Sequence, residues 1–95
     1  MVLVSLDGFR WDYLDRAVAP NLQRLAMRGV RAQWMTASFP TKTFPNHYTM
    51  VTGLHPGNHG IVANNIRDSL LGSFRLSDTV AQRDARWWGG EPIWR

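Results

Sequence analysis

The sequence predicts an α/β fold in which a mostly parallel sheet is flanked by helices, and three observations predict it. Residues 1–6, Met-Val-Leu-Val-Ser-Leu, form a nearly continuous apolar run that ends abruptly at Asp7 and Gly8. Such a run suits a strand covered on both faces, as in parallel sheets. A helix-like segment follows from Pro20, and residues 30–37 then alternate, with Val30, Ala32 and Trp34 set against Arg31, Gln33 and Met35. Strand-like and helix-like segments thus alternate along the first part of the chain.

Each element has a local cause. After the Asp7 tip, residues 11–14 suit a short turn of helix. Pro20 opens a longer helix because its missing N–H is one that a first turn leaves unpaired anyway. Leu22, Leu25 and Ala26 share a face of it, and Gly29 ends it. Beyond the second strand comes Phe39 through Tyr48, with Thr43 at the change from loop to helix and Pro45 tolerated in the first turn. Thr43 is a favourable N-cap, Gly53 a natural terminator, and Tyr48, Val51 and Thr52 fall near one face. Residues 55–59 contain Pro56, Gly57 and Asn58 and read as a turn-rich connection. Residues 61–63 suit a short extended piece presenting Asn64. Signals over 68–76 are mixed, residues 76–84 suit a helix capped by Ser77, and residues 87–90, Trp-Trp-Gly-Gly, suit a turn leading to Pro92, Ile93 and Trp94.

Two of these places carry chemistry. A hydroxyl at the start of a helix, here that of Thr43, stands at the positive end of the helix dipole beside unpaired backbone N–H groups, where a phosphate can sit. A carboxylate at the carboxyl end of a parallel strand, here that of Asp7, lies where open α/β sheets keep their ligands. Asp7 also suits a plain turn ahead of Gly8, and Thr43 a plain cap. Together, a carboxylate and a hydroxyl can share a divalent cation.

The chain resembles the start of the nucleotide pyrophosphatase/phosphodiesterase family of the alkaline phosphatase superfamily. The resemblance is carried by residues 5–10 (Ser-Leu-Asp-Gly-Phe-Arg), by Ala19 to Leu22 with Gly29 and Val30, and by Phe39 through Gly53. It continues in residues 57–65 and in Trp87 through Trp94, all in family order. It implies the N-terminal part of an alkaline-phosphatase-like domain, so that residues 1–95 are an incomplete portion of a single catalytic domain. It implies that Thr43 is the nucleophile and a zinc ligand, and that Asp7 is a carboxylate ligand of the same zinc. Asn64 matches the asparagine whose amide holds a non-bridging phosphoryl oxygen, with Asn65 the alternative if the register slips by one. Phe44 matches an aromatic that stacks on a nucleobase; anchoring the loop in the core is its other reading. Two Zn2+ ions serve the complete family domain, and the resemblance places the remaining ligands outside these residues.

The chemistry suits those residue types. A threonine hydroxyl is a weak nucleophile near neutral pH and needs a base or a metal to activate it. Paired metal ions stabilise attacking and leaving oxygens in line. The implied course is hydrolysis of phosphodiester or pyrophosphate bonds in nucleotides or related phosphate esters through a phospho-threonine intermediate, with residues 1–95 inactive by themselves. His47, His55 and His59 are spaced by eight and four residues, but Pro56 and Gly57 argue against a helical metal pair, and the resemblance matches none of them to a zinc ligand. His47 reads as a buttress of the loop, His59 as a turn residue, and Lys42 receives no role.

Composition bounds the rest. Ninety-five residues make one modest domain at most, and five Trp with many aliphatic residues allow a core. A parallel sheet needs more strands than the about three offered here. With no cysteine, disulfides and thiolate metal sites are excluded. The chain starts on a strand without a signal peptide, lacks a transmembrane run, and stops just after a segment that in the family leads into another strand. Family members are periplasmic or extracellular, so the resemblance implies export. The formal charge of +4, with Arg supplying ten of the eleven basic residues, leaves an alternative: a small basic module binding single-stranded nucleic acid. The basic residues form no stripe, so a nucleotide or phosphate ester is the expected partner, with no stable nucleic-acid partner.

Overall fold

A computed structural model of the chain describes residues 1–16 and 19–95. It contains two compact units, Met1–Thr36 and Ala37–Arg95.

In the first unit, residues 1–6 have no strand assignment, and the side chains of Met1, Val2, Leu3, Val4 and Leu6 stand exposed. The expected first strand is therefore absent as a ladder among the described residues. A strand exists only through the N–H and C=O groups of a neighbour, and apolar patterning cannot supply one. Residues 30–37 are likewise without a strand partner. The helices are α1 (Tyr13–Arg16), two residues later than expected, and α2 (Pro20–Arg28), which starts at Pro20 and ends at Gly29 as expected. The α2 stripe is unburied here, with Leu25 68% exposed. Polar bonds hold this unit: Gln23 Nε2 donates to Leu14 O at 2.8 Å, and Arg31 spans both Asp15 oxygens at 3.0 Å. Asp12, nearly buried, pairs with Arg10 and with Arg16 at 3.0 Å.

The second unit contains a core. Helix α3 (Thr43–Thr52) ends at Gly53, whose φ of 69° puts it in the left-handed region that glycine adopts without a steric cost. The connection expected at 55–59 is a short helix, α4 (Pro56–His59), because Pro56 falls at a helix start, where it is welcome. Two short strands, β1 (Ile66–Asp68) and β2 (Gly72–Phe74), pair antiparallel with Ile66 opposite Phe74. The Asp68 carboxylate closes the hairpin by accepting Leu70 and Leu71 N–H, each at 2.8 Å. This hairpin is the sheet among the described residues; the mostly parallel sheet is not. Helix α5 (Thr79–Arg83) is shorter than expected and is capped by Asp78, not Ser77. Asp78 Oδ1 accepts from Val80 and Ala81 N–H at 3.0 and 3.1 Å. A 3-10 turn, Ala85–Trp87, follows, so Trp87 ends a helical turn.

Tyr48, Ile61, Phe74 and Trp87 form a buried apolar cluster, with Phe44, Val51, Ile66, Leu71, Ala81 and Trp88 packed against them. Gly89 makes the close approach that seals this core: its N–H donates to His59 O at 2.9 Å, and a Cβ there would lie 3.0 Å from the same oxygen.

Candidate active site

The site is built on the first turn of α3. Lys42 is the extended residue before the helix, with φ −124° and ψ 162°, and Thr43 is the first helical residue, one place later than the cap expected of it. First-turn N–H groups normally lack intrahelical partners. Here Phe44 N–H donates to Asn64 Oδ1 at 3.0 Å, Pro45 has no N–H, and Asn46 N–H bonds Lys42 O at 3.2 Å. Phe44 and Pro45 thus have no backbone donor to spare, which gives side-chain donors a larger share in holding an anion at this helix start.

Asn64 is placed to be one. Its Oδ1 is identified by the Phe44 N–H it accepts, so its Nδ2 is the half of the amide able to donate to a ligand. Thr43, Phe44 and Asn64 are all partly buried. The fold brings these three expected site residues to one place across a sequence gap of 20 residues.

Two neighbours hold the turn. His47 Nδ1 lies 2.8 Å from Thr43 O; a carbonyl only accepts, so Nδ1 carries the proton, and His47 buttresses the loop as expected. Asn46 was not singled out in the sequence. Its Oδ1 accepts Ser38 N–H at 2.8 Å, and its Nδ2 faces Ser38 O, Pro40 O and Lys42 O at 3.2, 3.1 and 3.0 Å. The available signal was its type, since Asn competes with helical backbone bonding and is uncommon inside a first turn without a local partner.

The Phe44 ring meets Phe74 edge-on at 5.7 Å and Trp88 at 6.2 Å, so the loop is anchored in an aromatic cluster. Tyr48 joins it, 4.9 Å from Trp88 and from His59. His59, expected as a turn residue, ends α4 and is fully buried, and burial lowers its pKa. Its Nδ1 accepts Ile61 N–H at 3.2 Å, so a neutral ring offers Nε2–H to Thr49 Oγ1 at 3.0 Å. This histidine is structural.

Asp7 belongs to the first unit, in an exposed turn with Gly8 at φ 67°. Asn65, exposed, accepts Leu76 N–H at 3.4 Å, which ties it to the hairpin. Among the described residues no three His, Cys, Asp or Glu form a group able to hold a metal ion. Arg10, Arg16, Arg31 and Arg86 are paired with Asp12, Asp12, Asp15 and Asp84, which removes four cations from any basic patch. No helix of the described residues is long and apolar enough to cross a membrane.

The family model described as type I phosphodiesterase / nucleotide pyrophosphatase matches residues 1–95. An uncharacterized pyrophosphatase/phosphodiesterase of Schizosaccharomyces pombe is 52% identical over 96 residues, covering 99% of this chain and 20% of its own length. Venom phosphodiesterase 2 of Crotalus adamanteus is 50% identical, with 99% of this chain and 12% of that protein covered. Member 3 of the mouse ectonucleotide pyrophosphatase/phosphodiesterase family is 47% identical, with 99% and 11% covered. Among solved structures, murine ectonucleotide pyrophosphatase/phosphodiesterase 5, an inactive threonine-to-alanine variant in complex with AMP, superposes with a TM-score of 0.85 at 46% identity. That match covers 95% of this chain and 24% of the murine one. The chain spans about a fifth or less of the length of these curated relatives.

Proposed function

The chain belongs to the type I phosphodiesterase / nucleotide pyrophosphatase family, and on that premise we propose that it supplies the nucleophile and a phosphate-holding amide of a hydrolase. The substrates are phosphodiesters or pyrophosphates in nucleotides or related phosphate esters. The observation that carries this reading is the convergence of Thr43, Phe44 and Asn64 at the start of α3.

Thr43 Oγ1 attacks phosphorus; as the new O–P bond forms, the ester or anhydride oxygen leaves with its electron pair and takes a proton. Water then attacks the phospho-threonine, the P–Oγ1 bond breaks, and the hydroxyl and a phosphomonoester are released. Asn64 Nδ2 donates to a non-bridging oxygen as charge builds on it. Phe44, partly exposed beside Trp88, offers a ring face to a nucleobase. Asp7 and Thr43 are the residues of this chain that would hold one of two zinc ions, which when bound activate the hydroxyl and stabilise charge on phosphoryl oxygens. A mostly parallel sheet in the complete domain would take up residues 1–6. The murine neighbour supports the reading at two points: it is inactive with one threonine changed to alanine, and it binds AMP. Relatives named as ecto-enzymes and venom enzymes support an extracellular location.

The test is Thr43→Ala in a protein that carries this segment together with the rest of the family's catalytic domain, since residues 1–95 have too few ligands to be active alone. With a nitrophenyl phosphodiester as substrate, turnover falls at least about a thousandfold. Acid-quenched wild-type enzyme carries the substrate's phosphoryl group, still esterified to its remaining alcohol, on Thr43, and the variant does not. Undiminished turnover by the variant overturns the assignment.

A further inference from the structure

We infer that Asn46 is a positioning residue for the nucleophile, an inference that rests on Thr43 acting as proposed. The segment before Thr43 has no regular structure of its own, yet it determines where the hydroxyl stands. Ser38, Pro40 and Lys42 each present backbone groups to one carboxamide three residues beyond Thr43. Oδ1 takes Ser38 N–H at 2.8 Å, and Nδ2 reaches the carbonyls of residues 38, 40 and 42 at 3.0–3.2 Å. Two amide hydrogens are thus shared among three acceptors, and one side chain ties the whole approach to the helix that carries Thr43.

The geometry is directional. Lys42 O accepts both the backbone N–H of Asn46, at 3.2 Å, and its side chain, at 3.0 Å. The peptide linking Lys42 to Thr43 is therefore held from within the helix, while His47 Nδ1 holds Thr43 O at 2.8 Å on the other side. Only a side chain with an acceptor and a paired donor at this length makes these bonds. Asp keeps the acceptor but turns a second oxygen toward three carbonyls, and Ala keeps nothing.

In the same catalytic-domain protein, Asn46→Ala should lower kcat for a nitrophenyl phosphodiester by about 10- to 100-fold, the scale on which a displacement of about 1 Å acts. KM should stay within about twofold, because the groups that hold the ester are untouched. The Ser38 amide should exchange hydrogen faster once its acceptor is gone. Asp78→Ala, which removes the α5 cap far from the loop in sequence, is the control: it lowers Tm but leaves kcat unchanged at temperatures where the protein stays folded. If Asn46→Ala fails to fold, the near-isosteric Asn46→Asp takes its place in the same comparison. Wild-type kcat in the folded variant, or a loss matched by Asp78→Ala at equal folded fraction, overturns the positioning role. Thr43→Ala is run alongside. If it is inactive while Asn46→Ala is unimpaired, only this inference fails; if it keeps full turnover, the nucleophile reading fails and takes this inference with it.

Discussion

Asn64 shows how one hydrogen bond sets the direction of a whole amide. Its carbonyl oxygen accepts Phe44 N–H at 3.0 Å, which removes a backbone donor from the helix start and points the amide nitrogen the other way. Asn64→Ala is expected to lower kcat by on the order of a hundredfold, about 3 kcal/mol of transition-state stabilisation. Asn64→Asp separates the roles, because a carboxylate still accepts Phe44 N–H but presents an anionic oxygen to phosphate in place of a donor. Its turnover should fall at least as far as that of the alanine variant, as measured by steady-state kinetics on the same ester. The family resemblance singled out Thr43 and Asn64 and first-turn chemistry accounted for Pro45, and the structure brings Thr43, Phe44 and Asn64 together. The cost of Phe44 N–H being occupied was not legible in the sequence, because it depends on a partner 20 residues away.

Elements were legible where their punctuation is local. Pro20 and Gly29 bound α2, and Gly53 stops α3, because each acts through its own backbone. Ser77 against Asp78 was harder. Both are favourable caps one residue apart, and the choice falls to Asp78, whose carboxylate reaches both Val80 and Ala81 N–H. Asp78→Ala should therefore destabilise the fold by about 1 kcal/mol, read as a lower Tm, whereas Ser77→Ala should change it little. The β-hairpin escaped notice because three-residue strands carry too few alternations to register as a period. Residues 1–6 and 30–37 failed the opposite way: their patterns are strand-like, but a pattern states a preference and a ladder requires a partner.

At the scale of the whole molecule, the second unit is organised around an aromatic cluster in which Phe74 is fully buried and touches Phe44, Trp87 and Trp88 at 5.7, 5.5 and 5.6 Å. Buried with it is His59, neutral and bonded to Thr49 and Ile61 N–H. Its pKa is lowered by desolvation, so the unfolded chain binds the proton more readily than the folded one. The associated stability is present in full above the unfolded value of about 6.5 and declines as pH falls below it toward the lowered folded value. Thermal melts between pH 5 and 8 should show this acid loss, and His59→Gln should remove that part of the pH dependence; an identical pH profile in the variant would contradict it. What the sequence by itself determined was the chemical inventory and its local setting: a threonine where a helix begins, proline in that first turn, glycine where the helix stops. These follow from the backbone freedom of single residues. Only tertiary structure decided that Asn64 meets Phe44 N–H, that Asn46 gathers the approach to Thr43, and that His59 is sealed under Gly89. Each is a contact whose geometry depends on how the whole chain packs, which no local propensity encodes.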